Sequence, residues 1–464
     1  MNITTIVRKF VWAIAVAVGI GLGACGGGTG SSASTTGNAA NSVPASATAS
    51  ATTSTPVSAP ASATTSNPVS APAGTTTSTP ASALEPSAIP TANTASNAVP
   101  ILVSSALFAV RNFPMVSVTI CAPGTNAVSN CSTIDNVLID TGSFGLRLFA
   151  SAVPAATLSS LPTQTQISTG SSIAECALFG SGFTWGTVRD ADIRMSGEIA
   201  QDVPIQVISD PSLTELAPTE CRQSTALSTS SQLGANGILG VGVNPRDCGV
   251  SCTSGTQSGF YYACDATTCT AVTQALNRQV ANPVQFFAVN NNGVVLEMPQ
   301  VAVDGAPSVA GSLVFGIDTQ SNNMLAGTGA SILTTNLYGD FNATFNGATV
   351  VANAFFDSGS TNLFFPDATI EFNGFSFYIP ASPVSRTVAI TGLNRATTSI
   401  NLEVANAVTL LMSGNYAFNN LAHYMAGTFD FGIPFFYGRH VYFGIAGTSS
   451  SGGGAGPYVA YLSN

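Results

Sequence analysis

The chain has 464 residues, with 22 acidic side chains against 12 Lys and Arg and a formal net charge of −10 at pH 7. Arg8 and Lys9 lie in an apolar leader, so the rest carries 12 − 2 = 10 basic residues against 22 acidic ones, a balance of −12. That balance argues against nucleic acid or an anionic membrane surface as direct partners, and it suits work at low pH. Only 7% of residues are charged, while Gly, Ser, Thr, Asn, Val and Phe abound, the composition of an all-β protein with many turns.

Arg8 and Lys9 precede an apolar run from Phe10 to Leu22, which ends in Leu22-Gly23-Ala24-Cys25. Residues 1–25 read as an export signal, too short to span a membrane. The ending resembles a bacterial lipobox, in which Cys25 becomes the lipid-bearing first residue of the mature protein. Gly26 follows the Cys instead of Asp, which favours the outer membrane. Residues 26–99 are almost entirely Ala, Ser, Thr, Pro, Gly and Asn, with ATTSTPVSAPAS at 51–62 nearly repeated as ATTSNPVSAPAG at 63–74. Such a segment buries too little apolar surface to offset its ordering entropy and reads as a disordered, semi-extended tether.

About 360 residues remain, enough for two lobes with their own cores, set at 100–300 and 301–464. Strands are expected at Pro100–Val110 and Pro114–Ile120, then a turn bracketed by Cys121 and Cys131. Val137-Leu138-Ile139-Asp140-Thr141-Gly142-Ser143 follows, a buried strand that ends in an Asp on a stiff turn. Phe179-Gly180-Ser181-Gly182-Phe183-Thr184-Trp185-Gly186, with the alternating run 188–195, reads as a hairpin with a glycine-rich tip. Ile238-Leu239-Gly240 reads as a further buried strand. The Cys-rich stretch 247–270 reads as a stapled surface insertion. Without Cys25 the cysteines are Cys121, Cys131, Cys176, Cys221, Cys248, Cys252, Cys264 and Cys269, an even set that reads as four disulfides in an exported chain, with Cys121 to Cys131 as one pair. The alternative for the last four, a zinc site, lacks a nearby His.

In the second half, strands are expected at Gln285–Val289, Gly293–Met298, Gly311–Asp318 and Phe341–Val350. Ala354-Phe355-Phe356-Asp357-Ser358-Gly359-Ser360-Thr361 then repeats the first Asp stretch, 357 − 140 = 217 positions downstream. Phe429-Asp430-Phe431-Gly432 and Arg439-His440-Val441-Tyr442-Phe443 read as later strands. His423 and His440 have no nucleophile motif nearby and read as structural or surface residues.

Two Asp loops of this kind can share one proton and activate a water. The pair resembles the pepsin-like aspartic peptidases over residues of about 100 to 464. The resemblance implies an all-β, two-lobed pepsin-like fold with a cleft between pseudo-symmetric lobes. It makes Asp140 and Asp357 the catalytic pair, with Thr141, Gly142, Ser143, Ser358, Gly359 and Ser360 orienting them. It makes Phe179, Gly180, Ser181, Gly182 and Trp185 the flap, and Ile238, Leu239, Gly240, Phe431 and Gly432 the threading strands. Three positions depart from the family. Phe179 stands for the usual Tyr, Arg147 for the usual Trp, and Asp430 for an apolar residue, so Trp185 becomes a candidate substitute donor, and Asp430 either points outward or places a third carboxylate near the cleft. No basic residue lies between Lys9 and Arg111, so the family's basic prosegment is not visible. The implied protein is a monomeric, membrane-tethered aspartic endopeptidase acting on peptide or protein substrates without metal or cofactor. Its alternative is an inactive pepsin-fold lipoprotein that serves as a binding or surface protein.

Overall fold

The computed structural model describes Pro90 and residues 93–105, 108–256 and 260–463. The signal, Cys25 and nearly all of the tether lie outside the described residues. Among the described residues no helix is long and apolar enough to cross a membrane.

Among the described residues the first half contains ten strands: β1 (Ala98–Val103), β2 (Met115–Cys121), β3 (Ser132–Asp140), β4 (Phe144–Phe149), β5 (Ser172–Phe179), β6 (Gly182–Met195), β7 (Glu198–Ile208), β8 (Gly237–Val241), β9 (Tyr261–Cys264) and β10 (Cys269–Ala271). The second half adds β11 (Gly293–Met298), β12 (Val309–Phe315), β13 (Leu333–Thr334), β14 (Phe341–Phe345), β15 (Ala348–Asp357), β16 (Leu363–Phe365), β17 (Val384–Thr391) and β18 (Thr397–Val404). It ends with β19 (Ala422–Tyr424), β20 (Phe429–Gly432), β21 (Arg439–Gly444), β22 (Ser449–Ser450), β23 (Gly454–Ala455) and β24 (Tyr458–Ser463). The expected all-β class holds, and helices are confined to short pieces.

The two halves repeat one arrangement. In the first, β8 lies between β3, to which it is parallel, and β4, to which it is antiparallel. In the second, β20 lies in the same way between β15 and β16. Each Asp strand also has an antiparallel partner with a register shift, β2 for β3 and β14 for β15. In the first half β2 pairs with β6 as well, which closes β2-β3-β8-β4-β7-β6 into a ring. Beyond β2 the same sheet continues through β1, β12, β11, β21 and β24, so one sheet carries strands of both halves.

The two halves are stabilised differently. Four disulfides staple the first, joining Cys121 to Cys131, Cys176 to Cys221, Cys248 to Cys252 and Cys264 to Cys269. Those sulfurs are thereby committed to each other, which displaces the zinc alternative. The second half relies on interlocked aromatic rings. Phe356 stacks on Phe435 with centroids 4.4 Å apart, Phe429 on Phe431 at 4.6 Å, and Phe365 on Phe429 at 5.2 Å. Such pairs add about 0.5–1.5 kcal/mol each beyond the area they bury.

Several local expectations change. The fold already includes residues assigned to the tether: Asn93 donates its amide to Ser312 Oγ, and Asn97 is fully buried. The first strand stops at Val103 instead of reaching Val110. Gln285–Val289 is not a strand; Asn282 caps a 3-10 turn over Pro283–Phe286, where Pro at the first position suits the turn's fixed φ. The Cys-rich stretch is more than a surface insertion, because β9 pairs with β5 and Tyr261 is fully buried.

Candidate active site

The backbone register brings the two Asp loops tip to tip. β3 ends with Asp140 opposite Gly240, and β15 ends with Asp357 opposite Gly432, so each threading strand finishes beside its Asp. Ile238 and Leu239 fill the first half's core, and Phe431 joins the aromatic cluster of the second. Both Asp side chains are 2% exposed.

Each carboxylate is held by its own loop. The amide of Gly142 donates to Asp140 Oδ1 at 2.9 Å, and that of Gly359 donates to Asp357 Oδ1 at 2.8 Å. Ser360 Oγ adds a bond to Asp357 Oδ2 at 3.1 Å. The two carboxyls are neighbours, since one Cβ placed on Gly359 would lie 2.8 Å from Asp140 Oδ1 and 3.1 Å from Asp357 Oδ1. Each glycine makes room for the opposite Asp: a Cβ on Gly142 would sit 2.7 Å from Asp357 Cγ, and one on Gly359 2.8 Å from Asp140 Oδ1. Only a residue without Cβ permits that approach. Burial is the main cause that lifts the Asp357 carboxyl well above the usual range, and the neighbouring charges of Asp140 and Asp430 add to it.

Thr141 and Ser358 tie the loops together through reciprocal bonds. The Ser358 amide donates to Thr141 Oγ1 and the Thr141 amide to Ser358 Oγ. Each hydroxyl in turn donates to a carbonyl of the opposite strand, Thr141 to Phe356 and Ser358 to Ile139.

The symmetry fails at the next residue. Ser143 does not orient a carboxylate, because its buried Oγ has no partner. Its counterpart Ser360 bridges Asp357 to Asp430 at 2.5 Å. The difference traces to the threading strands: Asp430 stands beside Phe355 and Phe364, whereas the equivalent Ile238 stands beside Leu138 and Arg147 and offers no polar atom. Asp430 is 1% exposed, so it points inward as a third carboxylate.

The glycine-tipped hairpin forms from β5 and β6, with Phe179 opposite Gly182. Its tip is pinned to its own half, where the amide of Phe183 donates to the Thr225 carbonyl and the Leu227 amide donates back to Phe183. Among the described residues no hydrogen bond joins the hairpin to either Asp. Phe179 is buried in an apolar cluster with Leu138, Phe149 and Ile208. Trp185 is not a substitute donor, since its ring nitrogen bonds the Glu215 carbonyl and its ring meets Tyr262 edge to face.

Sequence reasoning missed what surrounds Arg147. Its guanidinium donates to Glu175 at 2.5 Å and to the Phe144 carbonyl, lies 3.4 Å from Asp247, and sits 5.8 Å over the Phe179 ring. Tyr261 donates to Asp247 at 2.7 Å. The available signal was Glu175 inside the otherwise uncharged run Ser172–Phe179, in a chain where charges are scarce. Both histidines are structural. His423 packs against Phe364 and Phe377, and His440 meets Glu297.

Among solved structures, the aspartic proteinase from Irpex lacteus is similar at 13% identity with a TM-score of 0.43, over 79% of this chain and 97% of that one. No curated protein matches the sequence. The family described as "Protein of unknown function (DUF3443)" matches residues 93–461, a span that holds both Asp loops, and the chain belongs to that family.

Proposed function

We propose that this chain is an aspartic endopeptidase. The observation that carries the reading is the buried, adjacent pair Asp140 and Asp357, each fixed by the amide of the second residue after it. Two buried carboxyls in contact cannot both ionise cheaply, so the pair holds one proton over its working range. Asp357 carries that proton and Asp140 acts as base. Asp140 takes a proton from a water as its oxygen bonds to the peptide carbonyl carbon. Asp357 gives its proton to the carbonyl oxygen, which leaves a gem-diol. Asp140 then protonates the amide nitrogen, the C–N bond breaks, and one diol hydroxyl returns a proton to Asp357. Peptides or proteins are the proposed substrates, and a lipid on Cys25 with the following segment is the proposed tether to a bacterial membrane, most simply the outer one.

The test is incubation of the mature protein with a diverse peptide pool from about pH 3 to 7. Cleavage should peak below neutral pH, survive chelators and vanish in Asp140→Asn and in Asp357→Asn. The double variant should be no worse than either single one, because the pair acts as a unit. Absence of cleavage at every pH would overturn the proposal.

One observation favours a second reading, a binding protein that retains the pair. The hairpin tip is fixed to its own half and presents Phe179 without a hydroxyl. A wild-type protein that binds peptides without cutting them would support it.

A further inference from the structure

Ser360 Oγ has one proton to give, yet it lies within hydrogen-bond distance of two carboxyl oxygens, Asp357 Oδ2 at 3.1 Å and Asp430 Oδ2 at 2.5 Å. It can donate to only one of them. The other contact is a hydrogen bond only if that carboxyl brings its own proton. Asp430 is the better place for it. Its Oδ1 is buried without a partner, and among the described residues no cation pairs with it.

The groups around Asp430 agree. It sits on β20 between β15 and β16. β15 contributes Asp357, and β16, Leu363-Phe364-Phe365, contributes no titratable side chain. Asp140 on the facing loop adds a second carboxylate. His423 is one strand further away, across Phe364. Burial lifts the Asp430 carboxyl well above the usual range; the Ser360 bond opposes this and the Asp140 charge reinforces it.

We propose that Asp430 is a positioning residue for the Asp pair, the outer member of a proton chain Asp430–Ser360–Asp357 that extends upward the pH range in which the pair keeps its shared proton. The effect on the reaction rests on the peptidase reading. With Asp430 neutral, its proton lies on Ser360 Oγ and the Ser360 proton on Asp357. When Asp430 ionises, the Ser360 proton turns to it. Asp357 then loses a donor and gains a negative neighbour, and both changes make the pair hold its last proton more tightly.

The experiment compares wild type, Asp430→Asn and Asp430→Leu as full-length mature proteins. Aspartate carboxyl carbons are followed by NMR from about pH 3 to 9, beside the rate of peptide cleavage. Apart from the buried Asp247 elsewhere in the fold, wild type should show two coupled protons that are lost late, one held by the Asp pair and one by Asp430. In both variants only the pair's should remain, and its transition and the alkaline limb of activity should fall by about one pH unit, while the acid limb stays in place. A wild type that cleaves, with variants whose alkaline limb does not move, overturns the inference and leaves the peptidase reading intact. A wild type that never cleaves, with an upper transition that falls in the variants, overturns the peptidase reading and keeps the proton chain. Should neither variant fold, a wild type in which this site loses only one proton late would overturn the chain, and one that loses two would support it.

Discussion

Thr141 and Ser358 each give the other a hydrogen bond from the main chain: Ser358 N to Thr141 Oγ1 at 2.9 Å, and Thr141 N to Ser358 Oγ at 3.2 Å. All four groups are buried, so each hydroxyl both closes the loops onto one another and satisfies an amide that water cannot reach. Thr141→Val and Ser358→Ala should each destabilise the protein by about 1–3 kcal/mol, because each strands a buried amide. The double variant should cost less than the sum, since the second substitution breaks bonds already lost. Denaturant unfolding of the four proteins measures this.

Ser143 and Ser360 occupy equivalent places, but only Ser360 has partners. Ser143→Ala removes a buried hydroxyl that bonds nothing, so stability should change by less than about 0.5 kcal/mol and cleavage should be retained. Ser360→Ala should weaken cleavage at least about tenfold, as it removes the donor to Asp357. Equal effects from the two would show that the serines are equivalent after all.

Stability should decline as pH rises above the ordinary carboxylate range. Asp357, Asp430 and Asp247 are each lifted well above that range, chiefly by burial. A carboxyl lifted in the folded state binds its proton more tightly there than in the unfolded chain. Between the unfolded and folded values the native state holds more protons, and raising the pH costs stability. Asp192, Asp210, Asp318 and Asp367 are shifted down, burial opposing and hydrogen bonds prevailing, so their support is lost as pH falls below the usual range. The optimum should lie on the acid side of neutrality, and Asp430→Asn should flatten the loss above it. Chemical denaturation at a series of pH values tests both.

The disulfides should differ in worth. Cys176 and Cys221 close a span of 45 positions, whereas Cys248 and Cys252 close one of 4. Loop-closure entropy gives about 4 kcal/mol for the first and about 2 for the second. Replacing both members of each pair by Ser and comparing unfolding free energies should recover that order. Thiol titration of the unfolded, unreduced mature protein should find almost none free.

The sequence by itself determined the parts that are local or repeated. Both Asp stretches, the threading segments, the glycine-tipped hairpin, the Cys121 to Cys131 pairing and the all-β class were legible, because each is an apolar run or a turn whose chemistry lies in adjacent residues. The offset of 217 positions carried the symmetry, and Thr141 and Ser358 keep it in their contacts. What only the tertiary structure decided concerns partners far apart in the chain. Ser143 and Ser360 are the same residue in the same motif, yet Ser360 is bonded because a strand 70 positions later places Asp430 beneath it, where the first half has Ile238. Arg147 reads as a lost aromatic ring, but Glu175 and Asp247, brought to it by β5 and by the turn after β8, make it the centre of a buried charge cluster. A single buried charge is costly and must find its partner somewhere in the fold. Sequence spacing states that requirement, and only the packed chain shows which residue meets it.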